Sequence, residues 1–164
     1  MTGEPLLPDD LRQVAEHLES TYPNEGCGVL LRSNATERWR VVPMRNAYDE
    51  YRARDPDRFP RTSRTAYVFD SREQLRIWEN AEAAGETLAC IFHSHADVGA
   101  YFSREDRAMA APDGQPLWPG VSYLVVAVDS GKATDARCYW WEGQGFRERQ
   151  IPLKQLSNSR AQDL

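Results

Sequence analysis

The order of apolar and polar positions divides the chain into short segments with either helical or strand periodicity. After Asp9 and Asp10, apolar residues recur every three or four positions until Pro23, which predicts a first helix. The nearly continuous apolar runs over 86–95 and 121–128 are typical of buried strands. By the same criteria we expect strands over 27–32, 37–44, 65–69, 134–142 and 146–153, and helices over 71–84 and 103–111. This order predicts an α/β fold with a single mixed β-sheet flanked by helices.

Turn and capping residues define several of these boundaries. The segments 33–36 and 143–145 separate neighbouring strands and predict two hairpins. Ser71 and Gln74 match a capping box at the start of the second helix, and Gly85 suits its C-terminal cap.

Two segments lack a clear periodicity. Residues 46–64 contain Pro56, Pro60 and several arginines, and they are predicted to form a long loop of the kind that is often functional in compact domains. The polar residues 154–164 are predicted to form a fraying tail. We therefore expect one domain over 1–153 followed by this tail.

Composition and charge narrow the class of protein. A net charge of -5 argues against nucleic acid as the main partner, because phosphate binding requires a basic face. No segment is apolar enough to span a membrane, and the N-terminus lacks an apolar signal core, so a cytoplasmic protein is expected. Cys27, Cys90 and Cys138 are too few and too widely spaced for a disulfide framework, and the last two are predicted to be buried.

Two histidines at the end of an apolar strand are the first sign of chemistry. His93 and His95 are separated by one residue, so their side chains point to the same face of a strand. Two imidazoles in this position can share a metal ion, although catalytic zinc usually has three protein ligands. A buried structural role is the alternative for each histidine.

Candidates for the third ligand follow the strand. Asp106 lies in the first turn of the next predicted helix, which can turn it back towards the histidines, while Asp97 and Glu105 are rival carboxylates. Ser103 lies at the helix entrance, where a hydroxyl can donate a hydrogen bond to the oxyanion of a tetrahedral intermediate. Ser103 and Asp106 also match a capping box, which requires no catalytic role.

A general base cannot be selected by spacing. A hydrolytic metal site needs a group that accepts a proton from the attacking water. Glu25 is one candidate, because it lies in a turn directly before an apolar strand. A solvated turn glutamate is the simpler interpretation of the same position.

The spacing of the candidate residues matches a known motif. The segment His93-Ser94-His95, followed after seven residues by Ser103 and after two more by Asp106, resembles the JAMM motif of the JAB1/MPN/Mov34 metalloproteases. The resemblance implies an MPN/JAB domain, whose mixed sheet with flanking helices is similar to the cytidine-deaminase-like fold. The deaminase signature itself is absent from the chain.

Further positions extend the resemblance over 6–153. Glu25, in the segment 22–28, is similar to the upstream glutamate of the motif, and 118–123 resembles the short bacterial members of the CysO-cysteine type. Ala96 replaces the proline that many members carry after the second histidine, which would loosen the loop without removing a ligand.

The resemblance assigns a role to each residue of the motif. It implies that Zn²⁺ is bound by His93, His95 and Asp106, which selects Asp106 over the rival carboxylates. It also implies that Glu25 is the general base, which passes the proton to the leaving amine. Ser103 would stabilise the oxyanion.

The resemblance also suggests a substrate. Short bacterial members are similar to enzymes that cleave after the C-terminal Gly-Gly of ubiquitin-like sulfur-carrier proteins. Such a carrier is the expected partner, and the segment 46–64 is a candidate contact through its arginines, Arg52, Arg54, Arg58, Arg61 and Arg64. Acidic residues in the same segment offset this charge, so a solvated charged loop is the competing interpretation.

Two other functions remain open at this stage. The first is a non-catalytic MPN-type module that binds a partner protein, against which the complete motif argues. The second is a zinc hydrolase acting on a different peptide or on a small molecule.

Overall fold

The structure is a computed structural model and describes residues 3–157. Its strands are β1 (Cys27–Ser33), β2 (Trp39–Met44), β3 (Glu86–Ala96), β4 (Ser122–Asp129), β5 (Lys132–Glu142) and β6 (Gly145–Gln150). Its α-helices are α1 (Arg12–Thr21), α2 (Tyr48–Arg54), α3 (Ser71–Ala83) and α4 (Arg104–Ala110). Short 3-10 helices cover Pro112–Gly114 and Leu153–Gln155.

The strands form one six-stranded sheet in the order β2-β1-β3-β4-β5-β6. All neighbours are antiparallel except β3 and β4, which run parallel and are connected by the segment that contains α4. The predicted α/β fold with a single mixed sheet flanked by helices is therefore confirmed, as are both predicted hairpins. The central position of β3 buries the end of the strand that carries the two histidines.

Alternation along β3 divides the core into two clusters. Cys90 and Phe92 join the cluster that contains the apolar face of α1. Ile91 belongs to the cluster on the opposite face of the sheet, with residues of α3 and α4. Since side chains alternate along a strand, His93 and His95 extend the face of Ile91 towards α4.

The prediction of a long loop over 46–64 is wrong, because this segment contains α2. Asp49 and Glu50 lie in its first turn and Arg52 and Arg54 in its last turn, an arrangement that favours a helix through its dipole. The helix spans 7 residues, which is too short to show apolar periodicity.

Two local predictions in the following segment are also wrong. The predicted strand over 65–69 is reduced to one bridge between Asn46 and Phe69, because the backbone N–H of Val68 donates to the side chain of Asn46. The capping residue of α3 is Asp70, whose carboxylate accepts from the first backbone N–H groups, so Ser71 is already inside the helix. Gly85 follows this helix with a φ of 69°, which agrees with the predicted cap.

The end of the described chain packs on the core. Leu156 is buried, and the carbonyl of Gln155 accepts a hydrogen bond of 2.7 Å from the backbone N–H of Leu11. The rest of the predicted tail, 158–164, lies outside the described residues. The three cysteines are buried and unpaired, and within 3–157 no helix is long and apolar enough to cross a membrane.

Close contact between β1 and its neighbours requires a glycine at position 28. A Cβ atom there would lie 2.3 Å from Cζ of Phe92 and 2.5 Å from the carbonyl oxygen of Val42. We expect Gly28→Ala to lower the free energy of unfolding in urea by about 1–3 kcal/mol, the usual effect of overpacking a core. Gly145→Ala is the control, since a Cβ there meets nothing within 4 Å. Equal stabilities of the two variants would contradict this packing.

Candidate metal centre

The C-terminal end of β3 brings two imidazoles together in the interior. His93 is fully buried and His95 is 5% exposed, and their Nε2 atoms lie 3.2 Å apart. The close approach follows from the strand geometry, which places alternate side chains on one face. The structure therefore brings together the pair predicted from the sequence.

The capping box of α4 delivers a carboxylate to the same point. The backbone N–H of Asp106 donates to Oγ of Ser103, and the backbone N–H of Ser103 donates to Oδ2 of Asp106, each over 3.0 Å. The Asp106 carboxylate also lies 3.2 Å from Nε2 of His93 through Oδ1 and 3.2 Å from Nε2 of His95 through Oδ2. The predicted capping box and the approach of Asp106 to the histidines are thus features of one local structure.

The three side chains form a donor set of the kind that holds zinc. Two imidazole nitrogens and one carboxylate are common catalytic zinc ligands, at metal distances of about 2.0–2.2 Å. Tetrahedral ligands at such distances lie about 3.3 Å from one another, close to the 3.2 Å separations among His93, His95 and Asp106. The two histidines face different oxygens of Asp106, and these separations leave the three side chains close enough to share one metal ion.

The protonation of the donors also suits a cation. Burial lowers the pKa of His93 against the opposing pull of Asp106, which favours the neutral imidazole. Burial acts to raise the pKa of Asp106, but its contacts with His93 and His95 and the backbone hydrogen bond from Ser103 together hold the pKa below its ordinary value. A neutral imidazole and an ionised carboxylate are the forms that bind metal.

The two histidines are oriented by different contacts. Nδ1 of His95 lies 3.0 Å from the carbonyl oxygen of Gly99, which only accepts, so Nδ1 carries the hydrogen and Nε2 offers a lone pair. Nδ1 of His93 has no hydrogen-bond partner among residues 3–157. Its ring instead stacks on Tyr67 at 4.5 Å between centroids.

Glu25 approaches the histidines from the start of β1. It is 4% exposed, and one oxygen of its carboxylate lies within 4.8 Å of a ring nitrogen of each histidine. Burial, helped by the negative charge of Asp106, raises its pKa to about 9, and Arg61 opposes the shift. The structure places Glu25 at the centre rather than in solvent, in contrast to the simpler interpretation of the turn. Its longer distance leaves Asp106 as the better-placed third ligand.

The turn that carries Glu25 is held to β3 by Ser94, a role that the sequence did not reveal. The backbone N–H of Gly26 donates to Oγ of Ser94 over 2.8 Å, and the backbone N–H of Ser94 donates to the carbonyl of Gly26 over 3.0 Å. Ser94 points away from the face of the two histidines because it lies between them. The alternation of side chains along β3 was the signal available in the sequence, since it places Ser94 on the face opposite to the two histidines.

Asn46 is the second positioning residue that sequence reasoning missed. Its side-chain amide donates to the backbone carbonyls of Glu25, over 2.9 Å, and of Ala66, over 3.0 Å. The side-chain carbonyl oxygen of Asn46 accepts a hydrogen bond from the backbone N–H of Tyr48. One asparagine therefore joins the turn of Glu25 to the segment after α2, and no short-range pattern announces such a contact.

The rival carboxylates are engaged elsewhere. Asp97 accepts from the hydroxyl of Tyr22 over 2.6 Å and from the backbone N–H of Ser130 over 2.9 Å, which lowers its pKa. Glu105 is exposed and faces Arg61 at 3.7 Å. Neither approaches the histidines as Asp106 does.

A cleft of about 650 Å³ leads to the centre. Residues of the segment 58–68 form one wall and residues of 95–109 the other, and Glu25 and Tyr48 also line the cleft. Of the five arginines predicted as partner contacts, Arg58, Arg61 and Arg64 line this cleft. Arg52 and Arg54 lie in α2 and are not among its lining residues.

Comparison with known proteins decides the family. The family model described as "Prokaryotic homologs of the JAB domain" matches residues 8–142. The chain belongs to this family. The JAB/MPN membership inferred from the spacing of His93 to Asp106 is therefore confirmed.

Relatives of this JAB-domain protein include proteins named CysO-cysteine peptidase from Mycobacterium tuberculosis and Mycobacterium bovis. They are 32% identical over 135 residues, which cover 82% of this chain and 80% of theirs. Among solved structures, a protein of Desulfitobacterium hafniense matches with a TM-score of 0.62 and 26% identity over 90% of both chains. A Salinibacter ruber protein, 23% identical over 90% of both chains, shares the fold with a TM-score of 0.55.

The buried Glu25 is expected to make the metal-free protein less stable as the pH rises. Its pKa increases from 4.5 to about 9 on folding, so between these values the folded state holds the extra proton and stability falls with increasing pH. Glu25→Gln removes this pH-dependent contribution to stability, because the glutamine side chain does not titrate. The variant should be more stable than the wild type at pH 8 by several kcal/mol, at most about 5, and similar to it at pH 4.

Urea unfolding between pH 4 and pH 9 with a chelator present measures this difference. Glu79→Gln, on the exposed side of α3, is the control and should follow the wild type. If the free energies of unfolding of the wild type and Glu25→Gln change with pH in parallel, folding does not raise the pKa of Glu25.

Proposed function

We propose that this protein is a zinc-dependent peptidase that cleaves after the C-terminal Gly-Gly of a ubiquitin-like sulfur-carrier protein in the cytoplasm. The proposal rests on one observation: the side chains of His93, His95 and Asp106 meet in the interior beside Glu25. The relatives named CysO-cysteine peptidase support a sulfur-carrier substrate for this chain. The complete set of site residues supports an enzyme rather than a binding module.

In this proposal His93, His95 and Asp106 hold the zinc ion. With three protein ligands, a zinc ion held there would keep a coordination position for water or substrate, as in other catalytic zinc sites. When bound, zinc acts as a Lewis acid that polarises the scissile carbonyl and makes the attacking water more acidic. The hydrogen bond from His95 to Gly99 and the capping contacts of Asp106 keep their metal-binding atoms in place.

Glu25 is the general base and then the general acid. It accepts a proton from the attacking water as the water oxygen bonds to the carbonyl carbon, and it returns that proton to the amine nitrogen as the C–N bond breaks. Positive charge at the centre favours its ionised form, since opposite charges lower a carboxyl pKa. Its position near both histidines suits a group that moves a proton.

Ser103 donates a hydrogen bond to the developing oxyanion. Its Oγ already accepts from the backbone N–H of Asp106, so the hydroxyl hydrogen remains available. Ser103 lines the cleft, and the helix cap fixes its position before substrate arrives. A donor held in advance stabilises the transition state at little cost in reorganisation.

The shape of the cleft suits a flexible tail rather than a folded domain. Clefts of this size enclose a ligand of a few residues, and glycines let a peptide backbone lie close to both walls. The segment 58–64 supplies the arginines on one wall, so it is the part of the original 46–64 segment proposed to contact the carrier.

The ligand set can be tested by metal content. Asp106→Asn is expected to reduce the zinc content from about one ion per chain to a small fraction, because it removes a charged ligand. Asp97→Asn is a matched control nearer in sequence to His95, and it should retain zinc because Asp97 binds Tyr22 and Ser130. Elemental analysis after dialysis measures both. Loss of zinc in Asp97→Asn but not in Asp106→Asn would show that Asp97, and not Asp106, is the metal ligand.

The role of Glu25 can be separated from metal binding. Glu25→Ala should retain zinc, while kcat for cleavage of CysO–cysteine, the substrate named for the mycobacterial relatives, falls about 10²–10⁴-fold. Mass spectrometry of the carrier follows the cleavage. Retained activity in this variant would exclude Glu25 as the base. An absence of cleavage by the zinc-loaded wild type would exclude the proposed substrate class.

A further inference from the structure

The two walls of the cleft differ in chemistry. The segment 58–64 carries Arg58, Arg61 and Arg64, whereas the opposite wall exposes the apolar side chains of Val98 and Tyr101. The site residues that line the cleft include two carboxylates, Glu25 and Asp106, beside His95 and Ser103. A cationic wall beside an acidic centre indicates a substrate that carries its own negative charge.

Arg61 is the arginine placed to meet that charge. Its guanidinium lies 3.7 Å from Glu105, which belongs to the first turn of α4 on the opposite wall and precedes Asp106. It is also the cation that acts on Glu25. Its side chain thus reaches from one wall towards the other, close to the reacting groups.

The present partner of Arg61 can be exchanged at little cost. Within residues 3–157 Arg61 forms an ion pair with Glu105 alone, and both side chains are largely exposed, at 40% and 57%. Exposed pairs of this kind contribute little to stability. The other two arginines are engaged differently, since Arg58 lies over the ring of Phe59 and Arg64 acts on Asp97.

We propose that Arg61 binds the free C-terminal carboxylate of a short extension beyond Gly-Gly, displacing Glu105, and so selects substrates whose leaving group ends within the cleft. This inference rests on the proposed function. The Gly-Gly segment carries no charge, and the terminal carboxylate is the one anion that every C-terminal extension has. A guanidinium matches a carboxylate through two parallel hydrogen bonds.

The test compares CysO–cysteine with its C-terminal amide, CysO–cysteinamide, as substrates of the zinc-loaded full chain. The wild type should show a kcat/KM about tenfold or more higher for the acid, the scale of a charge-assisted hydrogen bond. In Arg61→Ala this ratio should fall to about one. The ratio cancels any effect of Arg61 on Glu25, because that effect acts on both substrates.

Two further variants make the test specific. Glu105→Gln removes the competing carboxylate and should lower KM for the acid, which is opposite in direction to the effect of Arg61→Ala. Arg54→Ala removes an arginine of α2 that does not line the cleft, and its acid-to-amide ratio should equal that of the wild type.

The outcomes separate this inference from the function on which it rests. Equal cleavage of acid and amide by the wild type overturns the carboxylate subsite and leaves the proposed peptidase intact. An unchanged ratio in Arg61→Ala overturns the role of Arg61. Cleavage of neither compound by the wild type overturns the proposed function, and the subsite with it.

Discussion

The capping box between Ser103 and Asp106 is the interaction on which the site depends. It starts α4 directly beside the end of β3, and it fixes the Asp106 carboxylate against the two imidazoles. The same two residues therefore begin the helix, complete the donor triangle and orient the Ser103 hydroxyl. A structural motif and a chemical one coincide here because both need the side chains held rigidly.

The second constraint is the concentration of charge in the interior. Two carboxylates, Glu25 and Asp106, are buried beside the same two histidines, and the negative charge of Asp106 raises the pKa of Glu25 further after burial itself. Buried charges require a partner, and within the described chain the cation that acts on Glu25 is the exposed Arg61. A bound metal ion would offset both carboxylates.

Local patterns in the sequence predicted most of the fold. The long apolar runs specified β3 and β4, since burial on both faces leaves little ambiguity between strand and loop. The missed helix α2 is short and held by terminal charges and tertiary packing, which periodicity does not detect. The strand expected over 65–69 failed for a related reason, because its backbone is bound by the Asn46 side chain in place of a neighbouring strand.

The residues of the candidate site could be predicted from the sequence to different extents. The spacing of His93 and His95 gave a shared face from geometry alone. Asp106 was a candidate ligand from its position at the start of the next helix, and Glu25 a candidate base from its turn. Only resemblance to a family selected them over the alternatives, because contacts between distant segments have no signature in spacing. The contributions of Ser94 and Asn46 required the structure, since each acts by binding backbone groups of a turn far away in the chain.

Anomalous X-ray scattering at the zinc edge from crystals of the zinc-loaded protein tests the central claim most directly. The account predicts a single peak within about 2.0–2.2 Å of Nε2 of His93, Nε2 of His95 and a carboxylate oxygen of Asp106, with Glu25 outside the ligand sphere. A peak bound by Glu25 in place of Asp106, or no peak between the histidines, would contradict it.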